Sequence, residues 1–442
     1  MIRDLLDANL DGQVIDQDHS EYEKRRRVWN ATADRRPAVI VRASSVADIQ
    51  RTVQVAAEHG ALLAVRGGGH SIPGLSTCDD GIVLDLSLMN AVTVDNAAQR
   101  AMVMGGALLG DLDKAGASAG LVVPAGVVSH TGAAGLTLGG GMGWLSRRFG
   151  LTIDCLLAAN IVTADGKARE ISADAEPDLF WAIRGGGGNF GVVTSFTFKM
   201  HPLGPVLVGR WLYPLAEAAT VLRGLRELAA SASRELTVGF VLTTDGLRIT
   251  VCWSGSPDLA ESAIAPFGTL GRPESVAIGG VTFLELQQLS DERMAWDRRY
   301  YAKGGFLKEI DDAAIERMVD SIGSAPSADA EFYFMQLGGA VRDVNDDATA
   351  YTGRLAGYYW IVESGWDRAE DDVKFLGWSR GAAGRLAEVS MKGNYVNEQG
   401  DIDKDIARAA YGEQKYDRLA RLKARYDPNN LFRLNQNIEP KP

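Results

Sequence analysis

A single histidine, His70, stands directly after three glycines in Val65-Arg66-Gly67-Gly68-Gly69-His70-Ser71, at the end of an apolar stretch. Backbone N–H groups free of side chains can close around a pyrophosphate, and an imidazole delivered into the same pocket is a nucleophile facing whatever the phosphates carry. The heptapeptide therefore points to an electron-poor cofactor held by its phosphates, against the plainer alternative of a hydrogen-bonded loop histidine. A second glycine-dense segment, 119–150, sets Gly132, Gly135, Gly139, Gly140, Gly141 and Gly143 among Leu136, Leu138, Met142, Trp144 and Leu145. Glycine in regular structure costs about 0.5–1 kcal/mol relative to alanine, so glycines interleaved with apolar residues signal backbone packed against something flat or charged.

The elements that must carry these loops are legible around them. An apolar strand at Ala38–Val41, a helix opened by Ser45 and Asp48 as a capping box and closed by Gly60, and a strand at Leu62–Val65 form a βαβ unit that ends at His70. Strands follow between Ile82 and Met104, then a short helix around Leu108, Leu109 and Leu112, and a hairpin over 157–171 with its turn at Asp165-Gly166. A helix at Pro177–Ile183 leads into Arg184-Gly185-Gly186-Gly187-Gly188-Asn189-Phe190-Gly191 and a strand from Val192 to Phe198. Beyond Pro202 and Pro205 the glycine loops thin out. Strands such as Leu236–Thr243 and Leu247–Trp253 then alternate with helices such as Ala313–Ile322, which reads as an α+β domain with a largely antiparallel sheet inserted into the first. A helix near Tyr416–Tyr426, with Tyr416, Leu419 and Leu422 as core, is stopped by Asp427-Pro428.

Bulk properties exclude several classes of function. The 442 residues, 46% of them hydrophobic, suffice for two or three compact domains, and a formal charge of -11 argues against nucleic acid or anionic membrane as partners. The run Lys24-Arg25-Arg26-Arg27, preceded by Glu21 and Glu23, reads as a solvated helix face. Met1–Leu10 carries Arg3, Asp4 and Asp7 and lacks the apolar core of a signal peptide. Cys78, Cys155 and Cys252 show no framework spacing, so a cytoplasmic protein is expected. The five histidines lack paired spacing, and no metal site is expected. Gly186, Gly188 and Gly191 satisfy G-x-G-x-x-G, but here a helix precedes the glycines and a strand follows. That is the reverse of a dinucleotide-binding turn, and the acid expected about 20 residues later is missing from Val206–Pro214.

Four segments taken together resemble the berberine-bridge-enzyme-like flavoprotein oxidases, a subgroup of the vanillyl-alcohol-oxidase fold. They are the βαβ unit ending in Arg-Gly-Gly-Gly-His-Ser, the tract from Thr131 to Leu145, the stretch from Phe180 to Thr194, and the closing Tyr426-Asp-Pro-Asn-Asn-Leu-Phe-Arg-Leu-Asn-Gln-Asn-Ile. The resemblance is specific at both ends of the chain and weak across the middle. It implies an α+β protein whose two-lobed FAD-binding domain spans 1–204 and 392–442, with a substrate domain at 205–391 built on a mainly antiparallel sheet with covering helices. It also implies that His70 bonds covalently to the 8α-methyl of FAD and that Arg66, Gly67, Gly68, Gly69 and Ser71 form the pyrophosphate loop. Thr131, Gly132, Gly135, Thr137, Gly140, Gly141, Gly188 and Val193 are expected as further FAD contacts. Tyr395-Val396-Asn397 matches a motif that puts a phenol near the flavin and an amide on it, with Asn435 and Asn437 close behind. Relatives with a doubly attached flavin have a cysteine where this chain reads Val127-Val128-Ser129-His130, so attachment through His70 alone is expected, with Cys155 a buried inert thiol.

The chemistry implied is two-electron oxidation of a small molecule. A C–H bond beside an alcohol oxygen or amine nitrogen gives hydride to the flavin, and oxygen reoxidises it to yield hydrogen peroxide. The alternatives are a dehydrogenase with another acceptor, an oxidative cyclase of a biosynthetic pathway, and a flavin-holding protein without turnover. Tyr395 is the candidate base; a phenol with a pKa near 10 needs a cationic or hydrogen-bonding neighbour, and Lys303 and Arg354 are the candidates for that charge, against a role in surface salt bridges. The substrate should lie between the flavin and one face of the middle sheet. On Glu331–Leu337 alternation puts Tyr333 and Met335 on one face and Phe332, Phe334 and Gln336 on the other. Tyr333, Gln336, Tyr351 and Tyr359 are the candidate substrate contacts.

Overall fold

The computed structural model describes Leu6 and residues 10–441. The other positions of Met1–Leu10, on which the signal-peptide reading rests, lie outside the described residues. The chain opens with β1 (Gln13–Asp16), β2 (Val39–Arg42), β3 (Leu63–Arg66) and β4 (Ile82–Asp85), ordered β1-β2-β4-β3, with β2, β4 and β3 parallel and β1 antiparallel at the edge. Between β2 and β3 runs the helix Val46–His59. Ser45 Oγ accepts from Asp48 N at 3.2 Å, the Asp48 carboxylate accepts from Ser45 N at 3.1 Å, and Gly60 ends the helix with φ 61°. This capped crossover brings the chain back parallel to β2 and delivers Gly67–His70 at the carboxyl end of β3.

A second, antiparallel sheet follows, of β5 (Val92–Asp95), β6 (Arg100–Met104), β8 (Leu156–Val162), β9 (Ala168–Ser172) and β10 (Val192–Lys199), ordered β5-β6-β10-β8-β9. β7 (Leu121–Val122) pairs with β11 (His201–Pro202). The chain then enters a seven-stranded sheet, β12 (Val206–Tyr213), β13 (Leu236–Thr243), β14 (Gly246–Trp253), β15 (Ser275–Val281), β16 (Arg299–Leu307), β17 (Ala330–Gln336) and β18 (Tyr358–Trp366). Its order is β15-β12-β14-β13-β17-β18-β16, with every neighbouring pair antiparallel. The expected α+β class holds.

Period-2 alternation splits this large sheet into two faces. Phe332, Phe334, Trp360 and Val362 point outward under the helices Ala218–Ala230, Asp312–Ile322 and Asp372–Ala387, which cover them with Leu222, Ile315, Met318 and Leu386. Phe332 and Phe334 are wholly buried, each contributing about 1.5–3 kcal/mol relative to exposure. Val208, Ala302, Met335, Tyr359 and Ile361 point inward and pack with Trp29, Met142, Trp144 and Tyr395 from the first and last parts of the chain.

The closing helix runs from Lys404 to Tyr426, longer than its sequence pattern indicates, and is broken at Gly412, where φ is 69°. Asp403 caps its start by accepting from Asp405 N at 2.7 Å. The first segment buries only Ala407, Ala410 and Tyr411, too few apolar positions to display a helical period. Tyr416, Leu419 and Leu422 are core, as expected. Asp427 does more than stop the helix. Its carboxylate accepts from Lys423 Nζ at 2.7 Å, Leu431 N at 2.7 Å and Phe432 N at 2.9 Å, and the Lys423 ammonium also donates to Asn189 O at 2.7 Å, all fully buried.

The basic run near the start is ion-paired rather than simply solvated: Arg25 to Glu21, Arg26 to Glu23 and Asp34, Arg27 to Asp297. All three cysteines are buried free thiols, and burial pushes Cys155 up to about 12. Among the described residues no helix is long and apolar enough to cross a membrane, and no cluster of histidine, cysteine or carboxylate side chains is placed to hold a metal.

Candidate active site

A cleft of about 430 Å³ separates the glycine loops from the inner face of the seven-stranded sheet. Its floor is backbone. Gly67–Ser71, Thr131, Gly132, Gly135, Gly187, Gly188 and Val193 line it, with Asn397 and Asn435 from the C-terminal segment. Two of the loops meet back to back. A Cβ on Gly68 would lie 2.3 Å from Gly132 N, and one on Gly132 would lie 2.3 Å from Gly68 N, so neither position admits a side chain. At its glycines the floor thus presents bare peptide groups, the surface that a dinucleotide's phosphates and flat rings require. Gln436 Oε1, in the lining, is buried without a hydrogen-bond partner, whereas the expected contact Asn437 is not among the residues that line the cleft. These residues fit FAD.

His70 sits at one end of the cleft in a stack of three rings. Trp29 lies on it at 4.1 Å between centroids and 14° between planes, and Tyr300 lies on Trp29 at 4.0 Å and 11°. Trp29 is itself fixed, donating from Nε1 to Met294 O at 2.7 Å and from its backbone N to Gly69 O at 3.0 Å. The His70 edge meets His130, with Nε2 and Nδ1 3.0 Å apart. Burial, and then His130, push His70 down to about 3, so its imidazole is neutral at physiological pH.

The roof is side chain. β17 supplies Glu331, Tyr333 and Met335, and β18 supplies Tyr359, Ile361 and Glu363, with Glu331 directly opposite Glu363 across the ladder. Arg293 pairs with Glu331. Glu398, in the short turn Val396–Glu398 below β16, completes an acidic wall. Burial raises Glu363 to about 7, Arg293 pulling it down and Glu331 pushing it up; burial, and then Glu363, raise Glu398 to about 8. Tyr395 lies alongside, its phenol oxygen accepting from Asn397 Nδ2 at 2.8 Å and Gly141 N at 3.1 Å. Both donors are neutral, and burial outweighs them, holding the phenol well above its usual range.

Several expected site residues are elsewhere. Arg66 follows Val65 on β3; alternation turns Val65 into the cleft and Arg66 away from it, where its guanidinium donates to Arg25 O at 2.5 Å and lies 3.9 Å from Asp85. Thr137 bonds back to Ala133 O at 2.7 Å inside its helix, while Gly140 and Gly141 lie behind Tyr351 and Tyr395. Lys303 points off the sheet toward Asp401 at 3.6 Å. Arg354 is sealed in an ion pair with Asp154 at 2.7 Å. Neither supplies charge to Tyr395. Gln336 is on the outer face, donating to Ala229 O at 2.7 Å, and Tyr351 backs Tyr395 edge-on at 6.3 Å instead of lining the main cleft. Tyr333 and Tyr359 do line it. Sequence reasoning passed over Trp29, His130, Arg293, Glu331, Glu363 and Glu398. For Glu331 and Glu363 the signal was available, since each shares the period-2 face of a tyrosine already singled out.

Comparison with known proteins agrees with this geometry. Residues 37–172 match the FAD binding domain family, and 394–439 match the family described as berberine and berberine like. An FAD-linked oxidoreductase of Dictyostelium discoideum is 34% identical over 98% of this chain and 95% of its own length. The (R)-6-hydroxynicotine oxidase of Paenarthrobacter nicotinovorans is 33% identical over 98% of this chain and 97% of its own. The crystal structure of 6-hydroxy-D-nicotine oxidase from Arthrobacter nicotinovorans superposes with a TM-score of 0.89 at 30% identity, covering 98% of both chains. With likeness at this level over nearly its whole length, a glycine floor shaped for a dinucleotide and a C-terminal segment that closes it, the chain belongs to the berberine-like family of FAD-linked oxidoreductases.

Proposed function

We propose that the protein is an oxidase that removes a hydride from a carbon bearing a hydroxyl or amino group of a small molecule, with oxygen as final acceptor, hydrogen peroxide as second product, and FAD attached through His70 alone. The observation that carries this reading is one continuous cleft in which a glycine-rich floor that includes His70 faces buried carboxyl groups and tyrosines across about 430 Å³. FAD, when bound, supplies the two-electron acceptor. The protein's own residues do the rest. Glu398, with Glu363 beside it, takes the proton from the substrate's O–H or N–H; a carboxyl held near 8 is matched to that task at mildly alkaline pH, whereas the Tyr395 phenol is held too high. Tyr395 instead holds the Asn397 amide and the Gly141 backbone in register under the substrate. Tyr333 and Tyr359 flank the reacting carbon and exclude water. Single attachment is supported by a cleft lining that contains Val127 and Val128 but no cysteine among the described residues. Relatives named as hydroxynicotine oxidases support an oxidase over a dehydrogenase.

The test is an air-saturated panel of small amines and alcohols, followed by flavin absorbance, oxygen uptake and peroxide. Flavin bleaching with stoichiometric peroxide is expected. Bleaching that persists in air without oxygen uptake would establish a dehydrogenase, and no bleaching by any member would sink the oxidase reading.

A further inference from the structure

Charge is unevenly spread over the inner face of the seven-stranded sheet. The register puts Arg248, Val241 and Tyr333 in one row across β14, β13 and β17, and Arg210 opposite Thr250 in the next, all of them lining the cleft. At the β17 and β18 end the acids are accounted for: Arg293 pairs with Glu331, and burial holds Glu363 at about 7 and Glu398 at about 8. At the β12 and β14 end Arg210 and Arg248 are exposed, and among the described residues neither guanidinium makes an ion pair or a hydrogen bond. In a chain with a formal charge of -11, the charge left over in this cleft is therefore positive. The two arginines are diagonal neighbours on paired strands, about 7–8 Å apart at the backbone, a spacing that long side chains bridge. Like charges there repel one another, and an anion between the two planar forks turns that repulsion into paired, bidentate hydrogen bonds. Thr250, opposite Arg210 and on the same face as Arg248, adds a hydroxyl donor at the same spot. The field of Arg248 already reaches the acidic end: burial raises Glu331, and Arg293 and then Arg248 pull it down.

We propose that Arg210 and Arg248 form a specificity site for the carboxylate of an anionic substrate, so that the molecule oxidised is an amino- or hydroxy-substituted carboxylic acid. The inference rests on the oxidase function proposed above and names the substrate class of that site. Tyr333 stands two strands from Arg248, about 10 Å at ordinary strand spacing, so a guanidinium extended along the cleft meets a carboxylate a few bonds from the carbon that Tyr333 and Tyr359 flank. The substrate spans the cleft, with its amino or hydroxyl group toward Glu398 and its carboxylate at the arginines.

The experiment is calorimetric titration of the purified holoenzyme with benzoate and with its neutral counterpart benzamide. It is run on the parent, Arg210→Gln, Arg248→Gln and the double variant, with flavin per protein recorded for each. Benzoate should bind the parent about tenfold or more tightly than benzamide, the scale of one charge-assisted pair. Each single variant should cut that preference and the double variant should erase it, with flavin content unchanged. Added salt should weaken benzoate and leave benzamide alone. Oxygen uptake with para-aminomethylbenzoate and with benzylamine extends the comparison to turnover: the acid should have the lower KM in the parent, and the double variant should raise that KM while kcat stays nearly constant. Equal affinities in the parent, no benzoate binding, or a preference that survives in the double variant overturns the proposal. Loss of flavin from the double variant also overturns it, because the arginines then hold the cofactor. Benzylamine oxidised as efficiently as the acid strikes this inference and leaves the oxidase function standing. Absence of turnover on these and on the wider panel strikes the oxidase function, while the benzoate preference still decides whether the arginines receive an anion.

Discussion

On the floor of the cleft Gly68 and Gly132 bring two loops so close that a methyl group on either would overlap the other's backbone, whereas on the roof Glu331, Tyr333, Tyr359 and Glu363 reach inward as side chains from two paired strands. The floor is built from main chain because its task is to match one rigid, charged group, and peptide N–H groups provide fixed donors with no rotamers to order. The roof is built from side chains on a pleated sheet, where the inward positions alternate with the outward ones that form the outer core. On the function proposed above, the two faces separate holding the cofactor from choosing and activating the substrate, and substitutions should sort accordingly.

The sharpest way to break that comparison is Gly132→Val. It should abolish flavin content altogether, read from the 450 nm absorbance per protein; a yellow Gly132→Val protein would mean that the floor is not close-packed. Next comes Glu398→Gln on the roof, expected to lower kcat/KM by about 10²–10⁴-fold, the range for loss of a general base, while leaving flavin content unchanged. The pH profile sharpens the same point. The ionised carboxylate is the active form, so kcat/KM should rise as pH climbs through about 7–8, where Glu363 and Glu398 titrate, and fall on acidification; the rise should be absent in Glu398→Gln. Asp427→Ala strips the partner from a buried lysine and should cost about 3–5 kcal/mol in a denaturant titration, acting on the floor through the segment that carries Asn435. Smallest of all is Lys303→Ala: with its ammonium turned to Asp401, its kcat/KM should stay within about twofold of the parent, as exposed ion pairs contribute little.

What could be read in the chain follows the same division. His70, the βαβ unit and the glycine loops declare themselves locally, because cap, stop and turn chemistry are set by residues a few positions apart, as with Ser45, Asp48 and Gly60. The antiparallel character of the middle sheet was also legible from alternation. Which face of β17 and β18 looks inward was not, since both faces mix aromatic and polar residues, Glu331 and Glu363 on one and Gln336 on the other, and only the packing of distant segments distinguishes them. Lys303 and Arg354 show the related limit. A cation beside aromatics in sequence says nothing about Asp401 or Asp154, which capture them from 98 and 200 positions away. His130 was hidden for the same reason: its meaning lies in a contact with His70 across 60 residues.

Asn189, in the glycine turn after the helix Pro177–Ile183, donates to Gln436 O at 3.1 Å and accepts from Ile438 N at 3.0 Å, and Lys423 closes the same knot. In a chain made from its N-terminus, this turn waits about 250 residues for its partners. Throughout that interval the entire seven-stranded sheet is synthesised while one wall of the nucleotide cradle stays open. Assembly of the cofactor site is thereby tied to residues 436–438, and a product truncated before them has no finished place in which to trap a flavin.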